Sequence, residues 1–472
     1  MNFNRDPSAR KIEHVVVLML ENRSFDCMLG WLYPKSGGFD GLDGTESNRW
    51  HKPDGTEEEF RVWNSPLIQP DSARIPDPDP GELFADMSTQ IFGLNASDGA
   101  EPNMSGFVDS YMRQPPNGPP PDPRAVMHCF TPAQAPVLSQ LARAFGVSDR
   151  WHASAPCETW PNRYFAHCGT AGGQINNKRS HFPYRWPRTM RTIFRRLDAC
   201  GYDWRIYFHD MPQAATLVDL WSSIPARFCF FEAEFGRHAR TGRLANYSFI
   251  EPRYYANAWL KKAPNDQHPP HNILYGEQLI ADVYNAVRGA PAWERTVLII
   301  TYDEHGGAFD HVPPPPAVPP GGPYPDGFRF DRYGVRVPAV IISPYVPPGS
   351  IIRPPPGPDG APPGPFEHAS VLAMLHELFD LGPPLTPRVA AAPNPLCGLT
   401  LEKPENHGPE RVSVNLRQPS FSEAWHDLRR GNQLQHGMRG LATGLPAMAA
   451  RAVAHARGLG VRLTPEDWRR KK

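Results

Sequence analysis

Apolar positions along the chain fall into two kinds of pattern. Residues His14–Leu20 (HVVVLML) form an almost unbroken run of β-branched and leucine-type side chains, the mark of a strand buried on both faces of a sheet. Thr296–Tyr302 (TVLIITY) repeats it, and residues 337–343 (VPAVIIS) do so with Pro338 marking a strand start or an edge. Residues 202–208 give a weaker fourth run. Between these runs, apolar residues recur at helical spacing over residues 136–145, 189–200, 277–288 (Leu279, Ile280, Val283, Val287) and 367–381 (Val371, Leu372, Leu375, Leu378, Phe379). Strands separated by helices of this length imply an α/β fold, a three-layer α/β/α sandwich with a mostly parallel central sheet. Ligands then belong at the carboxyl ends of the strands.

Residues 34–132 are rich in Pro, Gly, Asp and Asn with little periodicity, and they read as an excursion over the rim of the sheet. Residues 313–365 are similarly loop-dominated. The 57 prolines and 39 glycines far exceed ordinary usage. They cluster, as at 313–316 and 354–356, which suits long stiff loops around a regular core. The main domain is expected to end near residue 396. Residues 397–472 read as a tail with one helical pattern at 438–458 and a basic end.

The 49 basic and 49 acidic side chains give a formal net charge of zero, so no global field calls for nucleic acid as a partner. Seven cysteines without CxxC pairing, an odd number, point to reduced thiols. The apolar run near the start is too short for a signal segment or a membrane span. Cytoplasmic residence is the expectation, with secretion the reading if a leader has been removed.

Two acidic pairs occupy matching places in this architecture. Glu21-Asn22 directly follows the first buried strand, and Asp303-Glu304 directly follows the second. Carboxylates set side by side at sheet ends repel one another unless a cation or protons compensate them, and an oxygen-only set suits a hard divalent ion. The bland reading is that each pair caps a helix or turn. Gly306 and Gly307, in DEHGGAFDHV, let the backbone pass close to a ligand. In CETWPNRYFAHCGTAGG (residues 157–173), Pro161 places Thr159 at the start of a helix, where free amides and Arg163 would welcome a phosphate. An ordinary threonine cap is the plainer alternative. Cys157 lacks the Cys-x5-Arg loop of a thiol phosphatase. Trp151, Trp160, Tyr164 and Phe165 could cage a choline headgroup, although such a stripe more often forms core.

ENRSFD (Glu21 to Asp26), TWPNR (Thr159 to Arg163), HPP (His268 to Pro270) and DEHGGAFDHV (Asp303 to Val312) stand in the order and approximate spacing of the phosphoesterase family. The chain resembles that family over about residues 10–385. The family includes bacterial phospholipases C, plant non-specific phospholipases C and acid phosphatases. The resemblance implies an alkaline-phosphatase-like core in which a Ser or Thr hydroxyl attacks phosphorus and is transiently phosphorylated. It also implies a metal held by Glu21, Asn22, Asp303 and Glu304 and touching Thr159, and the oxygen-only donors favour one divalent cation, Ca, Mg or Mn, over Zn. Thr159 matches the nucleophile, and His268 matches a histidine on the phosphoryl group. Cys157-Glu158 departs from the small residues many members carry before the nucleophile, which bears on the pocket wall.

A threonine hydroxyl is a poor nucleophile at neutral pH, so the cation would have to lower its pKa. Arg163, the helix amides and His268 would stabilise charge in the transition state. His311 or His305 is expected to protonate the leaving alkoxide, and Asn162, Arg163 and His368 to contact substrate. The expected function is therefore metal-dependent phosphoester hydrolysis of the phospholipase C type through a phosphothreonine. A phosphomonoesterase of acid-phosphatase type and a non-catalytic binding protein on the same fold are the alternatives. The expected partner is a phosphate ester, with phospholipid and a transient membrane-surface contact included and no transmembrane segment.

Overall fold

The computed structural model describes residues 11–430 and Gln435, apart from residues 37, 66–71, 96–99, 115–120, 178–189, 357–359 and 361–362. The helical pattern expected at 438–458 and the basic end lie outside the described residues.

Ten strands are present among the described residues: β1 (His14–Leu20), β2 (Ser47–His51), β3 (Glu57–Arg61), β4 (Gly146–Ser148), β5 (Trp204–Phe208), β6 (Phe228–Phe230), β7 (Tyr247–Ile250), β8 (Thr296–Tyr302), β9 (Ala339–Ile342) and β10 (Ser350–Ile351). Eight of them form one sheet in the order β10-β4-β9-β8-β1-β7-β5-β6. The run from β8 through β1, β7 and β5 to β6 is parallel. β9 runs antiparallel to both of its neighbours, β8 and β4. Pro338 immediately precedes β9, where its missing N–H disturbs no ladder bond.

β1 and β8 sit at the centre because their side chains demand it. Val15 to Leu20 and Val297 to Tyr302 are buried throughout, as expected of strands covered on both faces. On one face the helices Pro136–Ala144 and Ile273–Arg288 pack together. The second of these begins where Asn272 accepts the Leu274 amide at 2.9 Å, a side-chain N-cap. It buries Leu279, Ile280, Val283 and Val287. Its Glu277 is also buried and accepts the amides of Val137 and Leu138 at 2.5 and 3.0 Å, capping the neighbouring helix. The other layer holds the helices Thr159–Cys168, Ile193–Ala199 and His368–Phe379. The fold is a three-layer α/β/α sandwich.

Residues 34–132, expected as an excursion over the rim of the sheet, hold short regular elements among the described residues. They carry the β2–β3 hairpin and the helices Phe84–Phe92 and Phe107–Met112. Phe60, Val62, Ile91, Phe107 and Val108 form a small core of their own, joined by Phe309 and Val335. Elements this short complete too few periods to register as patterns. All seven cysteines are free. Among the described residues, no helix is long and apolar enough to cross a membrane.

Candidate active site

Parallel pairing in register sets Leu20 opposite Tyr302, so the residues that follow β1 and β8 leave the sheet at the same level. Glu21-Asn22 and Asp303-Glu304 therefore meet. The Asn22 amide donates to Asp303 Oδ1 at 3.1 Å, and its side-chain Nδ2 donates to Glu304 Oε1 at 2.6 Å. Asp303 Oδ1 also accepts the Glu304 amide at 2.8 Å. Asn22 holds a left-handed φ of 51°, a conformation that asparagine tolerates better than most residues. Gly306 makes the crossing of the two turns possible. Its φ is +59°, and a Cβ there would lie 2.4 Å from the Asn22 carbonyl oxygen.

Thr159 enters from the opposite layer as the first residue of a ten-residue helix. Asn162 shapes its approach. The carboxamide accepts the Ala155 amide at 3.0 Å and donates to the carbonyls of Ala155, Cys157 and Glu158 at 3.1, 2.6 and 3.3 Å. Asn162, expected at the substrate, is thus committed to the loop that presents Thr159. The Thr159 hydroxyl donates to Glu21 Oε2 at 3.5 Å. One turn on, Arg163 ties both strand ends together. Its Nε donates to Asp303 Oδ2 at 3.1 Å, and its Nη2 donates to the Met19 and Leu20 carbonyls at 3.1 and 3.3 Å and pairs with Glu21. Its Nη1 is buried with no hydrogen-bond partner.

The histidines separate into distinct environments. His368 Nε2 donates to the Asp303 carbonyl at 2.6 Å, its Nδ1 is buried without a partner, and burial pushes its pKa down to about 4. His305 is held by Gln90 Oε1 at 2.7 Å, and burial pushes it down to about 3. His268 is fully buried, with Nε2 3.1 Å from Glu82 Oε1. His311 lies in another network. Its Nδ1 meets Asp26 Oδ2 at 2.6 Å and its Nε2 meets Asp40 Oδ1 at 3.2 Å, beside Arg336. Burial opposes its charge, but those two carboxylates raise it to about 10. The partners of His311 are thus Asp26, Asp40 and Arg336 rather than any member of the Thr159 cluster.

The buried acids Glu21, Glu82, Asp303 and Glu304 crowd together, and Arg163 pairs with Glu21 and Asp303 among them. Burial lifts Glu21, Glu82 and Glu304 well above the ordinary carboxylate range. Repulsion among the acids adds to the effect, and Arg163 draws Glu21 back. Uncompensated buried charge of this kind is expensive unless a counter-charge binds. Asn22 Oδ1 is buried with no donor on it. These oxygens, with Glu21, Asp303, Glu304 and the Thr159 hydroxyl, fit a hard divalent cation.

Two groups here escaped sequence reasoning. Glu251 follows β7 directly, as Glu21 follows β1, and accepts the amides of Gln213 and Ala214 at 2.6 and 3.0 Å. That places Gln213, whose Nε2 donates to Glu21 Oε1 at 2.8 Å. The pattern of an acid directly after a strand would have found it, but β7 is only four residues long. Glu82 sits in an acidic proline-rich stretch that resembles any solvated loop. Trp151, Trp160, Tyr164 and Phe165 are buried among core residues. Burial also raises the Cys157 thiol pKa well above its usual value, which leaves it a poor nucleophile.

A family model described as Phosphoesterase family matches residues 12–382. The chain is 37% identical over 393 residues to Non-specific phospholipase C3 of Arabidopsis thaliana, covering 81% of this chain and 72% of that one. It is 39% identical over 376 residues to Non-specific phospholipase C1 of the same plant, covering 78% and 67%. Similarity extends to Phospholipase C A of Mycobacterium tuberculosis (strain ATCC 25618 / H37Rv), 28% identical over 380 residues, covering 71% and 68%.

Proposed function

The chain belongs to the phosphoesterase family and is a hydrolase acting on phosphoester bonds, and from that premise we propose that it cleaves phosphodiesters of the phospholipid type through a phosphothreonine at Thr159. The observation that carries this reading is the placement of the Thr159 hydroxyl. It stands at a helix N-terminus, 3.5 Å from Glu21 Oε2, inside a buried cluster short of positive charge.

Glu21, Asn22, Asp303 and Glu304, with Thr159, would hold one divalent cation. When bound, it would supply Lewis-acid polarisation of the phosphoryl group and favour the ionised hydroxyl. The chain's own residues do the rest. Thr159 Oγ1 attacks phosphorus, and Glu21 Oε2 is the nearest acceptor for its proton. Arg163 holds Glu21 and Asp303 in place, and its unpartnered Nη1 is available to a phosphoryl oxygen. The family resemblance puts His268 at the phosphoryl group; its Nε2 lies 3.1 Å from Glu82 Oε1. The diacylglycerol oxygen leaves and takes up a proton, Thr159 carries the headgroup phosphate, and water then frees the phosphorylated headgroup and restores the hydroxyl.

A phospholipid substrate requires contact with a lipid surface. The segment between β7 and His268 carries Trp259 and Leu260, 84% and 68% exposed, followed by exposed Lys261 and Lys262. Trp259 meets Phe421 edge-on at 5.8 Å. Tryptophan, leucine and lysine together suit the boundary between headgroups and acyl chains. We assign the transient membrane contact to this segment.

An assay with two substrates tests the reading: phosphatidylcholine for release of phosphocholine, and an aryl phosphomonoester for release of inorganic phosphate. The proposal requires phosphocholine. Turnover of the monoester alone would replace it with the acid-phosphatase reading.

A further inference from the structure

Beside the Thr159 cluster, and sharing none of the five ligands assigned there, one oxygen or nitrogen each from Asp79, Glu82 and His268 come within 4.8 Å of one another. Their surroundings are unusual for an ion pair. Glu82 is fully buried, yet neither of its carboxylate oxygens has a hydrogen-bond partner. Its Oε1 lies 3.1 Å from His268 Nε2, and the Asn22 side chain of the first site also acts on this carboxylate. His268 Nδ1 lies 2.7 Å from the Pro269 carbonyl oxygen and 3.6 Å from Asp79 Oδ1. A carbonyl acceptor on Nδ1 fixes the hydrogen there and turns the Nε2 lone pair toward Glu82, the orientation typical of a metal-ligating histidine.

Backbone packing puts this group against the first site. Gly307 has φ +64°, and a Cβ there would lie 2.7 Å from Pro80 Cβ and 2.8 Å from the Gly81 carbonyl oxygen. The turn after Glu304 and the loop carrying Glu82 are therefore in direct contact, with no room for a side chain between them. A cation would meet both Glu82 oxygens and the imidazole together.

We propose that Asp79, Glu82 and His268 form a second divalent-cation subsite adjoining Glu304. Its mixed carboxylate and imidazole donors admit Zn²⁺ as well as Mn²⁺, in contrast to the oxygen-only first set, which favours the hard ions. Paired ions about 4 Å apart are a recurrent arrangement for displacement at phosphorus, one serving the attacking oxygen and the other the leaving oxygen. The inference rests on the reading of Glu21, Asn22, Asp303 and Glu304 as the first site.

The test is metal counting on the full chain, stripped with chelator and titrated with Mn²⁺, read by elemental analysis and electron paramagnetic resonance. The wild type should bind two ions per chain with a spin-coupled spectrum. Glu82→Gln should bind one, with the second weakened at least about tenfold and the coupling lost. One ion in the wild type, retained unchanged in Glu82→Gln, would overturn the second subsite and leave the first intact. Two ions in both proteins would also overturn it, since the second would then sit elsewhere. If Glu82→Gln fails to fold by circular dichroism, Asp79→Asn is read against the same criteria. A wild type that binds no ion and turns over in chelator would sink both sites, an outcome distinct from the others.

Discussion

The backbone amide of Asn22 donates to Oδ1 of Asp303 at 3.1 Å, across a separation of 281 residues. That bond joins the ends of β1 and β8, and with Asn22 Nδ2 on Glu304 it locks the two acidic pairs into one site. It depends on a backbone crossing that only a glycine at 306 allows.

Gly306→Ala should therefore lower stability by about 3 kcal/mol or more, because a left-handed alanine and a collision with the Asn22 carbonyl act together. It should also weaken metal binding. Gly55→Ala is the control. Gly55 also has a positive φ, +84°, but a Cβ there meets nothing within 4 Å, so only about 1–2 kcal/mol of conformational strain is expected. Urea unfolding and Mn²⁺ titration of both variants check this, and equal losses would contradict the crossing's importance.

His311 is expected to act through stability rather than turnover. Its pKa is raised to about 10 in the folded chain by Asp26 and Asp40 against the opposing effect of burial, while an unfolded histidine titrates near 6.5. A raised pKa means that the folded state holds the proton more tightly. The stabilisation is fully present below about pH 6.5 and is lost as pH rises through about 10. His311→Gln should lower unfolding free energy on the order of 2 kcal/mol at pH 6, a figure reduced for partial exposure. The gap to the wild type should close by pH 10. Thermal melts across that range measure it, and a gap that widens with pH would refute the assignment.

Much of the sheet could be read directly because β1 and β8 are seven residues long and apolar over most of their length. The acids at their ends stood out for the same reason. β7 holds only four residues, so Glu251 and the Gln213 contact it supports were missed. Glu82 was illegible for a different reason. What distinguishes it from any acid in a proline-rich loop is burial beside His268 and the glycine turn at 306–307, and both depend on segments far along the chain. Asn162 shows the reverse case. Its place in TWPNR suggested substrate contact, whereas its carboxamide serves the loop before Thr159. Proximity in a motif does not say which way a side chain is spent.

The exposed pair Trp259 and Leu260 should govern access to lipid but not chemistry. Replacing both with alanine should weaken partition onto phosphatidylcholine vesicles by roughly 10–100-fold, the range expected for removing one or two buried apolar side chains. Turnover of a soluble short aryl phosphodiester should be unchanged. Vesicle sedimentation and the soluble assay separate the two effects. Unaltered partition would remove this segment from the membrane contact.

Thr159→Ala should fold like the wild type and still bind metal, more weakly, through Glu21, Asn22, Asp303 and Glu304, while turnover falls by roughly 10⁴-fold or more. The most direct test of the central claim is acid quenching of the wild-type enzyme during turnover of a slow phosphodiester, followed by peptide mass analysis. The account requires a phosphoryl ester on the peptide carrying Thr159 that is absent from Thr159→Ala. An actively turning enzyme with Thr159 unmodified, together with ordinary rates from Thr159→Ala, would contradict it.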